Sequence, residues 1–139
     1  MNGLLMLVAI LTLATCYGTW VKVSRSRIKQ VSVVGRSPLA SAIKAQFNVL
    51  GSKATLVQFS SAFCAPCRAT KALLSDIAAK STGVVHIEID AESQLALVRE
   101  LSIRSTPTTL ILDGQGREVG RAVGAPKRDQ VLSALAAIQ

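Results

Sequence analysis

The first half of the chain lacks acidic side chains. No Asp or Glu precedes Asp76, whereas nine Lys and Arg residues do; from Asp76 onward seven basic residues stand against eight acidic ones. The net charge of +8 therefore belongs to the front of the 139-residue chain. Aromatic residues are also scarce, at 4%, and a nucleic-acid-binding face usually combines clustered basic residues with aromatics. We therefore expect no nucleic-acid partner.

Cysteine and histidine are rare as well. The chain has three cysteines and one histidine, too few for a disulfide-stapled scaffold. Half of its residues are apolar, which excludes a disordered chain. The length allows one domain with an ordinary core and a short appendage.

One long apolar segment is present. "GLLMLVAILTLATCYGTWV", residues 3–21, carries no charge and is long enough to cross a hydrocarbon core. Tyr17 and Trp20 stand near its end, where aromatic rings favour the headgroup layer. The sequence predicts a transmembrane helix over residues 1–23, with residues 3–21 in contact with lipid.

The charges that flank this segment predict an orientation. All of the nearby basic residues follow it, and basic residues prefer the cytoplasmic side. We therefore expect a single-pass protein of the plasma membrane with a cytoplasmic domain, an extracytoplasmic domain being the alternative. A cleaved signal peptide and a lipoprotein signal at "LATC" also compete, although "MNG" lacks a basic side chain and Thr15 is a weak match before Cys16.

Residues 24–52 have a transitional pattern. "QVSVV" predicts a short strand, which Gly35 and Pro38 end. "LASAIKAQFNVL", residues 39–50, has apolar residues at helical spacing. We interpret residues 24–52 as a basic linker with a short strand and a helix.

From Lys53 onward, strand and helix patterns alternate. Apolar runs or period-two alternation predict strands, and apolar residues three and four apart predict helices. The predicted strands are residues 54–60, 84–90, 108–112 and 117–123, and the predicted helices are residues 67–80, 92–103 and 126–138. The order β-α-β-α-β-β-α predicts an α/β domain over residues 53–139, with a central mixed sheet flanked by helices.

"SSAFCAPCRATKALL" places Cys64 and Cys67 at the start of the first of these helices. A helix N-terminus presents unpaired N–H groups and partial positive charge, and thiols there have pKa values lowered from about 8.5 to roughly 3.5–7.5. A zinc site would need two further ligands, and only His86 and Cys16 are available. Redox chemistry is favoured over metal binding and over inert packing.

Three motifs in order resemble the thioredoxin family over residues 53–139. They are "ATLVQFSSAFCAPCRATKALL", then "STPTTLIL", then "REVGRAVGA". The resemblance implies a thioredoxin-like fold and a cis Thr106–Pro107 peptide bond facing the cysteines. It also implies that Thr106, Pro107 and Gly124 border the substrate-binding groove.

The chain departs from the family pattern at three positions that modulate such a site. The family usually has Trp-Cys-Gly-Pro-Cys; here Phe63 and Ala65 replace the Trp and the Gly, while Pro66 is kept. The family's buried Asp, credited with deprotonating the second cysteine, is replaced by Gln58, which could orient a water or a thiol but cannot act as a general base. We therefore expect slower release by the second cysteine. His86 lies near the position of a family Lys, and we interpret it as a half-buried strand residue rather than a base.

These observations predict a membrane-tethered thiol–disulfide oxidoreductase. Cys64 would form a mixed disulfide with a substrate protein, and Cys67 would resolve it. The redox-active group would be the Cys64–Cys67 pair itself, with no bound cofactor and no metal, and an external reductase would supply electrons. Two alternatives stay open: an exported oxidase, isomerase or thiol-transfer protein, and a non-catalytic module that binds a peptide strand beside Pro107.

Overall fold

The computed structural model describes the backbone of residues 2–25, 29–30 and 49–138, and the side chains of residues 5–20 and 49–138. Helices and strands occupy most of this part of the chain. The helices are α1 (Asn2–Arg25), α2 (Ala65–Lys80), α3 (Leu95–Glu100) and α4 (Arg128–Ala136). The strands are β1 (Lys29–Gln30), β2 (Ala54–Ser60), β3 (Val84–Asp90), β4 (Thr108–Asp113) and β5 (Glu118–Val123).

The strands form one mixed sheet in the order β1-β5-β4-β2-β3. β2 is parallel to β3 and antiparallel to β4, and β4 is antiparallel to β5. The predicted order β-α-β-α-β-β-α is confirmed from residue 54 onward. The α/β fold with a mixed sheet is therefore the one that the alternation of periodicities predicted.

Helices cover both faces of the sheet, and each face has its own apolar cluster. One cluster packs α2 and α4 against the sheet, with Leu56 and Ile111 on the strands and Leu74 on α2. The other packs α3 and the turn after it against Val57 and Phe59. Every residue of β2 is buried, as its nearly unbroken apolar run predicted for a strand covered on both faces. The end of β2 is consequently held firmly from both sides.

α3 is shorter than its pattern predicted. The apolar spacing indicated residues 92–103, but the helix runs only from Leu95 to Glu100. Asp90 accepts a hydrogen bond from the backbone N–H of Glu92 (3.0 Å), which forms a turn at the end of β3. Local side-chain bonding of this kind competes with a helix start.

The prediction for the N-terminal segment is corrected by the structure. The helix predicted over residues 1–23 corresponds to α1, Asn2–Arg25. Within the described residues, no helix combines the length and apolarity that a membrane crossing requires. The predicted localisation in the plasma membrane is therefore wrong, together with the orientation inferred from it, and the predicted lipid contact of residues 3–21 is not supported.

The predicted linker falls mostly outside the described residues. Of the predicted strand "QVSVV", only Gln30 is described, and it pairs with Gly120 of β5. Of the predicted helix over residues 39–50, only the last two residues are described, and they are not helical. The linker therefore stays a prediction.

Candidate redox site

The two cysteines lie where β2 passes into α2. β2 ends at Ser60, and Cys64 is the N-cap residue of α2, with extended backbone angles. The backbone N–H of Cys67 points at the Cys64 sulfur, 3.2 Å away. The two cysteines are joined by a disulfide, with their Cα atoms 5.2 Å apart. Because a helix N-cap leaves N–H groups unpaired, the first sulfur sits among donors.

The two sulfurs have different surroundings. Cys64 is partly exposed, whereas Cys67 is only 2% exposed. Phe63 directly before the pair is 99% exposed, and Ala65 and Pro66 between the cysteines are exposed as well. A substrate can therefore reach Cys64 and the apolar ring beside it, but it cannot reach Cys67 directly.

The segment before β4 lies beside the cysteine loop. The Thr106–Pro107 peptide bond is cis, as the family resemblance implied. The hydroxyl groups of Ser61 and Thr106 are hydrogen-bonded at 3.1 Å, which links this segment to the loop before Cys64. Gly124 donates its N–H to the Pro107 carbonyl at 2.8 Å and has φ +87° with open space around it, a conformation that a glycine adopts without strain.

Behind Cys67 lies the buried amide of Gln58. It is 0% exposed, and its Nε2 donates to the Cys67 carbonyl at 2.9 Å. The sequence suggested that this amide would orient a water or a thiol. The structure instead shows a bond to the backbone, which fixes the first turn of α2 to the end of β2.

His86 on β3 contacts that amide. Its Nε2 lies 3.2 Å from Gln58 Oε1, and its Nδ1 lies 3.0 Å from the hydroxyl of Ser75 on α2. Burial lowers the pKa of His86 from its ordinary value, more than the nearby Glu88 carboxylate raises it. The interpretation as a half-buried strand residue describes its burial, but it missed this contact with Gln58.

A cavity of about 410 Å³ opens beside the disulfide. Cys64, Cys67, Arg68 and Asp90 are among the residues that line it, together with an ion pair between Lys71 Nζ and Glu88 at 2.6 Å. Burial raises the pKa of the Glu88 carboxyl, but hydrogen bonds from Lys71 and Ser60 outweigh it and hold that pKa below its usual value.

Sequence reasoning did not single out these charged groups. Lys71 and Glu88 belong to different elements, and only the packing of α2 on β3 brings them together. The alternation of "VVHIEID" did show that His86, Glu88 and Asp90 share one face of a strand. That signal could have identified the face as polar, but it did not reveal that α2 covers it.

No group of three or more His, Cys, Asp or Glu side chains among the described residues is arranged to hold a metal ion. The site combines the two sulfurs with a helix N-terminus and the Lys71–Glu88 ion pair.

A family model for thioredoxin matches residues 39–137. The chain belongs to the thioredoxin family. The identification from three sequence motifs is confirmed. The family match begins at residue 39, before the start of β2 at Ala54.

Known thioredoxins resemble the chain in sequence. It is 34% identical to thioredoxin H-type 1 of Nicotiana tabacum over 77 residues, which are 55% of this chain and 60% of that protein. It is 26% identical to the thioredoxin of Pongo abelii over 87 residues, which are 63% of this chain and 82% of that protein. The chain spans only 54–60% of the length of three plant thioredoxins that it matches.

Solved structures resemble it as well. Thioredoxin NaTrxh of Nicotiana alata superposes with a TM-score of 0.60 at 27% identity, covering 76% of this chain and 98% of that one. The short form of spinach chloroplast thioredoxin f gives a TM-score of 0.57 at 28% identity, covering 79% and 94%. Sequence and fold therefore agree on the family.

Proposed function

We propose that this protein is a thiol–disulfide oxidoreductase that reduces protein disulfides through Cys64 and Cys67. The observation that carries the proposal is the bonded pair at the N-terminus of α2, with one sulfur accessible and the other buried. Membership of the thioredoxin family supports the same activity.

The first step is attack by Cys64. In the reduced protein its thiolate is favoured by the N–H groups and the positive dipole end of α2. The thiolate attacks one sulfur of a substrate disulfide, so that a Cys64–substrate bond forms and the substrate S–S bond breaks. The electron pair leaves with the first substrate thiolate, which takes a proton from solvent.

The second step is release by Cys67. Its thiol loses a proton to solvent or to the departing substrate thiolate, and its sulfur attacks Cys64. The Cys64–Cys67 bond forms, the mixed disulfide breaks, and the second substrate thiolate leaves. The substrate has then gained two electrons and the protein pair has lost two, which an external reductase would restore. The two sulfurs carry the electrons themselves, so the reaction needs no bound cofactor.

Substrate binding is assigned to the surface around Cys64. The exposed ring of Phe63 supplies an apolar contact. The backbone at Thr106, Pro107 and Gly124 would pair with an extended substrate strand, since Thr106 is linked to the cysteine loop and Gly124 to Pro107. Ala65 and Pro66 shape the turn between the two sulfurs.

Insulin reduction at a fixed dithiothreitol concentration tests the proposal. We expect a rate above that of dithiothreitol alone, and a fall to that background in Cys64→Ser. Cys16→Ser, which removes a cysteine on α1, is the matched control and should keep the full rate. A wild-type rate equal to the dithiothreitol background would contradict the proposal and favour the non-catalytic peptide-binding module.

A further inference from the structure

A continuous chain of hydrogen bonds starts at the protein surface and ends at the Cys67 backbone. Exposed Ser75 contacts His86 Nδ1 at 3.0 Å. His86 Nε2 contacts Gln58 Oε1 at 3.2 Å. Gln58 Nε2 then donates to the Cys67 carbonyl at 2.9 Å. Three elements of the fold, α2, β3 and β2, take part.

The chemistry of the groups fixes which atom donates and which accepts in each of these hydrogen bonds. A carbonyl oxygen only accepts, so Gln58 must present its NH₂ group to Cys67 and its Oε1 to His86. The His86 Nε2 must then carry a proton. In a neutral ring Nδ1 has none, so it accepts from the Ser75 hydroxyl. Each group fixes the orientation of the next one.

The electrostatic surroundings are consistent with a neutral ring. His86 faces Glu88 on its own strand and Lys71 on α2, and these two are paired with each other. Burial disfavours the charged ring and lowers the pKa of His86, so it also favours the neutral ring. The tautomer with its proton on Nε2 satisfies both neighbours of the ring without an added charge.

These hydrogen bonds connect α2 to the sheet at two points along the helix axis. Ser75 and Cys67 are separated by eight residues of one helix, about 12 Å along its axis at 1.5 Å per residue. Gln58 holds the first turn and His86 contacts the third. Without a donor at His86, the 0% exposed Oε1 of Gln58 would lose its partner, and a buried unpaired acceptor favours a rotated amide.

We propose that His86 is a positioning residue for the resolving cysteine, because its Nε2–H holds the Gln58 amide in the orientation that fixes the Cys67 carbonyl. The inference rests on the proposed function. The Cys67 sulfur must approach Cys64 in line with the bond it breaks, and a displacement of about 1 Å can slow such a step on the order of a hundredfold. The attack by Cys64 does not depend on where Cys67 lies. Loss of His86 therefore slows release and spares attack.

A single-turnover reaction with dithionitrobenzoate, a chromogenic disulfide, separates the two steps. The parent protein and all variants carry Cys16→Ser, because the exposed Cys16 thiol would release a coloured thiolate of its own. The fully reduced protein then releases one coloured thiolate when Cys64 attacks, at a rate that rises with reagent concentration. It releases the second when Cys67 attacks, at a rate independent of concentration. The variants are His86→Met, which lacks a donor, and His86→Gln, which has a similar length and an N–H donor.

We expect His86→Met to slow the second phase about tenfold or more and to leave the first phase within about twofold of wild type. His86→Gln should restore the second phase to within about threefold of wild type, because an amide N–H can replace the ring N–H. An unchanged second phase in His86→Met, an equal slowing of both phases, or an equal loss in the two variants would overturn the inference.

Ser75→Ala provides a test that does not disturb the buried part. Both Ser75 and Ser133 are exposed helix residues, so Ser133→Ala is its matched control. Without the Ser75 hydroxyl the ring can move its proton to Nδ1, and we expect a second phase about threefold slower than in the control. If His86→Met does not fold, the comparison of Ser75→Ala with Ser133→Ala tests the inference. Equal rates of the second phase in these two variants would overturn it. Absence of both phases in wild type would instead count against the proposed function.

Discussion

The two cysteines of one disulfide lie in opposite surroundings. Cys64 caps a helix at the surface, directly after a fully exposed ring at Phe63, and the loop before it is hydrogen-bonded to Thr106. Cys67 is buried, and its carbonyl is held by Gln58, which His86 holds in turn. An accessible sulfur suits a group that meets many partners, and an anchored one suits a group that always attacks the same neighbour. Under the proposed function, recognition and release therefore depend on separate residues.

The largest effect should come from removing the buried sulfur. Cys67→Ser leaves Cys64 able to attack, but nothing resolves the product. We expect a stable one-to-one mixed disulfide with a substrate protein, detected as a covalent complex that a reducing agent dissolves. The double variant Cys64→Ser, Cys67→Ser is the control and should give none. A covalent complex formed by the double variant through Cys16 would contradict the assignment of the attack to Cys64.

Next in size should be the loss of the buried anchor. Gln58→Leu leaves His86 and the Cys67 carbonyl without their partner, and an unsatisfied buried group costs about 1–3 kcal/mol. We expect a fall of that size in the free energy of unfolding, measured with urea, and a slower second phase with dithionitrobenzoate.

Thr109→Val is a matched control for this variant. Thr109 pairs with Gln58 across β2 and β4 and is buried, but its hydroxyl has no hydrogen-bond partner among the described residues. Removing an unpaired buried hydroxyl should leave stability unchanged or slightly higher. Equal losses in the two variants would show that the anchor has no special role.

A smaller effect is expected on the exposed side. Phe63→Ala removes an apolar contact that only a docked substrate can cover. We expect KM for insulin to rise about fivefold, which corresponds to roughly 1 kcal/mol, with both dithionitrobenzoate phases unchanged. Leu132→Ala on α4, another exposed apolar residue, should leave KM as it is. A changed rate of the second phase in Phe63→Ala would mean that the surroundings of Cys64 affect the attack by Cys67.

The smallest expected effect is a pH dependence of the free energy of unfolding that comes from His86. The pKa of His86 is lowered by burial from its ordinary 6.5, so the unfolded chain takes up this proton before the folded protein does. The contribution of the neutral His86 ring to the free energy of unfolding is fully present above about pH 6.5. It is lost as the pH falls toward the pKa of His86 in the folded protein. Relative to His86→Gln, wild type should lose unfolding free energy between about pH 7.5 and pH 5.5.

Urea unfolding of both proteins across that range measures the difference. The Glu88 carboxyl has a pKa held below its usual 4.5, so it stays ionised throughout and contributes equally to both. A constant difference, or wild type gaining stability on acidification, would contradict a neutral buried ring.

Much of the fold could be predicted because its signals are local. β2 and β3 were predicted with the boundaries that the structure shows, since a covered strand and a half-covered strand each leave a pattern within seven residues. The cysteine pair at the start of α2 was identified for the same reason. The helix predicted over residues 1–23 corresponds to α1, but the membrane crossing inferred from its hydropathy and flanking charges is not supported by the described residues.

The surroundings of Cys67 could not be predicted in this way. Gln58, His86 and Ser75 lie on three elements, and each has several rotamers that sequence leaves open. Whether Gln58 would face a thiol, a water or a carbonyl depended on how close α2 comes to the end of β2.

The sequence by itself determined the family, the order of elements and the close pair of cysteines, because these follow from periodicity and from residues close together along the chain. Only the tertiary structure decided which sulfur is open and which is anchored. Burial and hydrogen-bond partners arise when distant segments pack, and a buried polar group must take whatever partner that packing brings within reach.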